Sequence, residues 1–148
     1  MKKPIQSIKM NELIILIGIP GSGKTTYYLN NYEGTHLHIN LDTLKTRGRE
    51  TAIFKAAVDT NTDIVIDNTN ITREKRKKYI DYVKNKNYTI VAIHFIEEPE
   101  TCIQRIQSRL RKVPAGIVHQ FHKEIEKPSF DEGVHTIYTH QGDENKWT

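Results

Sequence analysis

Hydrophobic residues along this chain come in short runs separated by amphipathic stretches, and the alternation predicts an architecture. ELIILIGIP is a continuous apolar run, the pattern of a strand buried on both faces of a parallel sheet. GKTTYYLNNY after it has helical character. THLHIN predicts a second strand, DIVIDN a third that stays apolar until its carboxyl end, YTIVAIHFI a fourth and VHTIYT a last. Between the second and third, LDTLKTRGRETAIFKAAVDTNT is helical in its second half, with Ile53, Ala56, Ala57 and Thr60 toward the core. Thr72 caps a helix to Asn85, with Tyr79, Ile80 and Val83 on one stripe and lysines opposite. Pro99 opens a helix through Arg111. Pro114 ends that segment, and Ala115 to Lys127 forms another helix with Ile117, Val118, Phe121 and Ile125 at helical spacing. The expectation is an α/β fold: a doubly wound parallel β-sheet of about five strands with helices on both faces. Ligands of such sheets bind beyond the carboxyl ends of the strands. Asp42 and Asp67 both fall there.

Composition narrows the class without naming a task. At 148 residues the chain is one domain by length, with a core over 13–140 between tails at 1–12 and 141–148. The longest apolar run, Leu13 to Ile19, is far too short to span a membrane. No signal-length apolar segment follows the basic first residues, so a cytoplasmic location is expected. Cys102 is the only cysteine, which excludes an internal disulfide. The net charge of +4 is a mild bias toward phosphate-rich partners. Basic residues cluster at Arg73, Lys75, Arg76, Lys77 and Lys78, and again at Arg105, Arg109, Arg111 and Lys112. The first cluster reads better as a solvated helix face than as a nucleic-acid contact.

Chemistry enters at Gly18 to Thr25, GIPGSGKT, which matches G-x-x-x-x-G-K-[ST] between a buried strand and a helix. Glycines let the backbone N–H groups of such a P-loop point at an anion, and the helix N-terminus adds its dipole. Gly21, Ser22, Gly23, Lys24, Thr25 and Thr26 are the candidate nucleotide-binding set, with Lys24 reaching the β- and γ-phosphates and Thr25 holding Mg²⁺. The expected sheet is therefore of the P-loop NTPase type. Asp42 follows the next strand. Position alone leaves two roles open: capping the helix it begins, or taking the proton of an acceptor hydroxyl. Asp67, Asn68, Thr69 and Asn70 close the third strand as either a turn or a set of groups ordering Mg²⁺ and the acceptor. Arg105 and Arg109, four apart, would share a helix face, either as a lid on the transferring phosphate or as solvated surface.

Taken together, GIPGSGKTT, HINLDTL, VIDNTN, RIQSR and VPAGIVHQFHKEIEKPSFDEG resemble the kinase module of the polynucleotide 5′-kinases of phages and animals. The resemblance covers roughly residues 13 to 138. It implies transfer of the ATP γ-phosphate to the 5′-hydroxyl of a DNA or RNA end, with ATP and Mg²⁺ as cofactors. Asp42 would be the general base, Lys24, Arg105 and Arg109 would meet the donor phosphates, and Thr25 and Asp67 would lie at the metal. Asn68, Thr69 and Asn70 would lie by the acceptor. Two positions depart from the family pattern: Leu41 stands where arginine is common, and Lys45, with Arg47 beyond it, stands where phage members carry an arginine that grips the acceptor. No D-x-D-x-T motif of the companion phosphatase is present, so a separate phosphatase or ligase partner is expected.

Two rivals stand beside this reading. One is a small-molecule kinase of the same fold acting on a sugar, nucleoside or antibiotic hydroxyl, and the other is a nucleotide-binding module without catalysis. The seven histidines, His38 among them, are scattered and expected to be structural. Tyr27 and Tyr28 are expected in the core, and Trp147 is a lesser candidate for stacking a base.

Overall fold

The computed structural model describes residues 9–109 and 112–141. Arg111 and Trp147 lie outside the described residues. The strands are β1 (Asn11–Ile17), β2 (Leu37–Ile39), β3 (Ile64–Asp67), β4 (Tyr88–Ile96) and β5 (Thr136–Gln141). The helices are α1 (Lys24–Asn31), α2 (Leu41–Leu44), α3 (Arg47–Asp59), α4 (Arg73–Val83), α5 (Pro99–Gln107) and α6 (Ala115–Glu124), with a 3₁₀ turn at Phe130–Glu132. All strand pairs are parallel and their order is β2-β3-β1-β4-β5. The expected five-stranded sheet is thus observed.

Alternate residues of β1 go to opposite layers, the consequence of a period of two in a strand covered on both sides. Leu13, Ile15 and Ile17 join Phe54 of α3 and Tyr79, Ile80 and Val83 of α4. Ile14 and Leu16 join Tyr27 and Tyr28 of α1 with Phe95, so both tyrosines are core, as their place behind the P-loop suggested. A third cluster seats α5 and α6 under the loop after β1, through Ile19, Cys102, Ile106 and Val118. Because every strand runs the same way, all carboxyl ends share one edge, and β1 and β3 stand side by side there with Leu16 level with Asp67.

Three sequence expectations shift. In α3 the buried face is Glu50, Phe54, Ala57 and Val58, whereas Ile53 and Ala56 are exposed. Thr46 caps the helix by accepting from the Arg49 N–H, and the Phe54 ring packs edge-on against Tyr79 at 5.1 Å. Those two constraints fix a rotation that apolar spacing did not. Helix α5 ends at Gln107 instead of continuing through Arg111, with the Ser108 hydroxyl donating to the Arg105 carbonyl. The basic run on α4 is also more than a solvated face. Arg76 is 1% exposed and pairs bidentately with Glu132 through Nε (2.8 Å) and Nη2 (3.0 Å), while its Nη1 donates to the Asn70 carbonyl at 2.8 Å. Gly133 follows at φ +107°, and a side chain there would meet Ile80 at 3.0 Å.

Removing one member of a buried ion pair strands the other charge. Glu132→Ala is therefore expected to lower the unfolding free energy by about 3–5 kcal/mol in urea titrations. Asp131→Ala, at the exposed pair with Arg73, should leave the urea midpoint almost where it was.

Candidate active site

The loop after β1 begins with the Gly18 N–H donating to the Thr69 carbonyl at 3.0 Å, which ties it to the end of β3. Gly21 and Gly23 adopt φ of +83° and +100°, the left-handed turns that curl the loop around its centre. Gly21 has a second reason to be glycine: a Cβ there would lie 2.6 Å from the Cys102 carbonyl oxygen of α5. Lys24 opens α1 and folds into the loop mouth, where Nζ donates to the carbonyls of Gly18 (2.9 Å) and Ile19 (3.0 Å) and to Ser22 Oγ (3.3 Å). Burial pulls the Lys24 ammonium down to about 8, with the Asp67 carboxylate working against that fall.

Thr25 Oγ1 donates to Asp67 Oδ2 at 2.7 Å, and His38 Nε2 meets the same oxygen at 2.7 Å. The His38 ring is held flat against Tyr28, 4.0 Å between centroids. Sequence reasoning gave His38 no part in the site. The signal available was its place two residues before Asn40 on a strand adjacent to β3. One hydroxyl and one carboxylate beside a P-loop lysine match the sparse protein donor set that Mg²⁺ takes when phosphates and water complete its shell.

The helix carrying Asp42 is positioned by two asparagines. Asn40 caps α2, its side chain accepting from the Thr43 N–H, while its Nδ2 donates to the Asp67 carbonyl at 2.7 Å. From the other side, Asn68 Oδ1 accepts from the Leu41 N–H at 2.8 Å. The capping role left open for Asp42 therefore belongs to Asn40. Asp42 sits one residue inside the helix on the wall of a cavity of about 430 Å³ shared with Lys24, Thr25, Asp67, Asn68, Thr69 and Arg109.

The remaining candidates divide. Arg109 lines this cavity from beyond the end of α5. Arg105 instead donates to the Gly21 carbonyl at 3.1 Å and to Glu97 at 3.2 Å, a buttress on the loop's outer side. The pair does not share a helix face, because the helix stops between them. Arg47 lines the cavity and Lys45 does not; Lys45 closes α2 at φ 77°. Asn70 is 3% exposed and spends its amide on the Leu16 carbonyl at 2.8 Å, which makes it a strand tie. Thr26 is exposed on α1, away from the cavity lining.

Two further residues also belong here, Lys75 from the basic run read as a solvated face and Glu50, which sequence reasoning passed over. Lys75 lines the same cavity as Asp42. Glu50, fully buried, accepts from Tyr79 Oη (2.7 Å), Asn68 Nδ2 (2.7 Å), Arg47 Nη1 (3.1 Å) and Lys78 Nζ (3.3 Å). Burial pushes its carboxyl up, but the Tyr79 and Asn68 hydrogen bonds and the two cations bring it below the ordinary value. Four cations (Lys24, Arg47, Lys75, Arg109) and two carboxylates (Asp42, Asp67) thus line one pocket, an arrangement for a polyanion.

A family model described as an AAA domain matches residues 45–128, more than half of the chain. The chain belongs to the AAA domain family. This AAA-domain chain is 28% identical over 141 residues to the putative bifunctional polynucleotide phosphatase/kinase of Acanthamoeba polyphaga mimivirus, a match covering 88% of the chain and 33% of that relative. It spans about a third of the length of the curated relatives it matches. Among solved structures, a fungal RNA kinase is similar with a TM-score of 0.71 at 18% identity, over 95% of this chain and 79% of that one. A gluconokinase from Sinorhizobium meliloti 1021 is similar with a TM-score of 0.62 at 16% identity, over 90% of this chain and 84% of that one. At these identities the structural likeness is one of fold. The P-loop kinase fold and the resemblance carried by INLDTL and IDNTN are both borne out. Gly18 to Thr25 precedes the residues that the family model matches, and its left-handed glycines and the lysine in its mouth give it the form of a phosphate-binding loop.

Lys24 gives a pH test of that site. A bound polyphosphate holds the ammonium charged, so above the free pKa each binding event must take up a proton. Nucleotide affinity is expected to be level up to about pH 8 and to fall by up to about tenfold per pH unit beyond it. Calorimetry with a non-hydrolysable analogue measures this, and Lys24→Ala should bind weakly at every pH.

Proposed function

We propose that the chain is an ATP-dependent polynucleotide 5′-hydroxyl kinase in which Asp42 is the general base. The observation that carries this reading is the division of labour between Asn40 and Asp42. Since Asn40 caps α2 through the Thr43 N–H and Asn68 takes the Leu41 N–H, the carboxylate two residues beyond Asn40 is not the cap, and it lines the cavity that holds the P-loop lysine. A nucleotide-binding module without catalysis has no use for an acidic group there; a kinase needs one within hydrogen-bond reach of the acceptor.

In this reading the triphosphate lies in the loop, with Lys24 on its β- and γ-oxygens. Thr25 and Asp67 are the residues that would hold Mg²⁺, which would supply charge neutralisation for the phosphates. His38 keeps Asp67 turned toward Thr25. The acceptor hydroxyl approaches from the α2 side, and Asp42 removes its proton as the phosphoryl group moves in line. Arg109, which lines the same cavity, meets the charge spreading over the transferring group. Arg47 and Lys75 attract the acceptor's own phosphate, as the arginine at the Lys45 position does in the phage pattern. Arg105 acts on the donor through the Gly21 carbonyl, by holding the loop. The relatives named as polynucleotide phosphatase/kinases favour a nucleic-acid acceptor over a sugar.

The test offers γ-labelled ATP and Mg²⁺ with a 5′-hydroxyl oligonucleotide, its 5′-phosphorylated twin, a free nucleoside and gluconate. Label on the 5′-hydroxyl oligonucleotide alone is expected. Label on gluconate or nucleoside alone would transfer the assignment to a small-molecule kinase. Asp42→Asn should keep nucleotide affinity and lose about 10²–10⁴-fold in turnover; full activity in that variant would remove Asp42 as base.

A further inference from the structure

Glu50 is the one fully buried carboxylate on α3, on the same face as Phe54, Ala57 and Val58. Apolar groups at such a position are usually at least as stabilising as a buried charge, so core stability gives no account of it. Its partners do. Arg47 and Asn68, two of its four donors, line the cavity beside Asp42. Asn68 is the more telling. An amide has one accepting and one donating end, and an anionic acceptor at Glu50 Oε2 draws the Nδ2 end of Asn68 to it. Oδ1 is thereby left facing the Leu41 N–H at the start of α2, one residue before Asp42. Arg47 Nη1 is fixed on Glu50 Oε1, which leaves its other N–H groups for an anion in the cavity. Lys78 and Tyr79 come from α4 and close the far side of the same carboxylate.

We propose that Glu50 is the positioning residue of the acceptor side, orienting Arg47 toward the acceptor and, through Asn68, the helix that carries Asp42. This rests on the kinase reading above. Donor binding lies on the other side of the cavity and does not pass through Glu50, so loss of its charge should divide the two substrates.

The experiment compares the wild-type chain, Glu50→Gln, Glu50→Asp, Arg47→Ala, the Glu50→Gln/Arg47→Ala double variant and Phe54→Leu. Phe54→Leu loosens the same helix and its packing on Tyr79 while removing no hydrogen-bonding group. Each is assayed for nucleotide Kd and for kcat and acceptor KM on a 5′-hydroxyl oligonucleotide. Glu50→Gln is expected to keep nucleotide Kd within about twofold, raise acceptor KM about tenfold and lower kcat about tenfold. Glu50→Asp, which keeps the charge on a shorter stem, should recover part of both and gives the same reading if Glu50→Gln fails to fold. In the Arg47→Ala background the KM effect of Glu50→Gln should shrink to about twofold while the kcat loss remains. Wild-type kinetics in Glu50→Gln, an equal loss of nucleotide binding, the same KM rise in Phe54→Leu, or full additivity with Arg47→Ala would each overturn the proposal alone. A wild-type chain that labels no oligonucleotide overturns the kinase reading and this proposal with it.

Discussion

The end of β3 is the junction on which the rest of the site hangs. A strand buried on both faces delivers Asp67 to the sheet edge beside the P-loop with its carboxylate 1% exposed, where an unpartnered charge would be costly. Thr25 and His38 satisfy the carboxylate, and Asn40 takes the backbone carbonyl of the same residue. Asn68 then holds the next helix start, and the Thr69 carbonyl receives the first N–H of the loop. With the Asn70 amide on the Leu16 carbonyl of β1, four consecutive polar positions connect β1, β2, α1 and α2 at one point. The P-loop side and the α2 side of the cavity are built on the same turn, which is how two loops far apart in sequence come to share one cavity.

The parts of the fold that were legible in the sequence are those where burial is two-sided. β1, β3 and β4 lie in the middle of a parallel sheet, so nearly every residue in them must be apolar, and the runs announce themselves. The P-loop was legible because its function is carried by its own backbone. Asp42 was legible as a candidate and not as a role. Removing the cap alternative required the orientation of one asparagine side chain, which no periodicity contains.

The face of α3 was misread for a different reason. Glu50 is buried by four hydrogen-bonding partners, Arg47 from its own helix and three from the β3 turn and α4, and a scan for apolar spacing counts a glutamate as surface. Arg76 was hidden in the same way, inside a run of lysines that are mostly solvated. Arg105 and Arg109 looked equivalent because four-residue spacing presumes a helix continues. Ser108 ended it, and the two arginines took opposite sides of the loop. For Glu50 and Arg76 a pairing partner distant in sequence decided what a local pattern left open.

The Arg76–Glu132 pair carries a consequence for the order in which this chain is made. Glu132 holds Arg76, Arg76 holds the Asn70 carbonyl, and the Asn70 amide holds the Leu16 carbonyl just ahead of the P-loop. β1 itself lies between β3 and β4, both of which follow it in sequence. A nascent chain that has emerged only through α1 therefore carries the nucleotide motif without a nucleotide pocket, since the contacts that fix the loop are long-range. The P-loop is thus among the last segments of this sheet to acquire its final shape, and it waits on a glutamate that lies beyond β4.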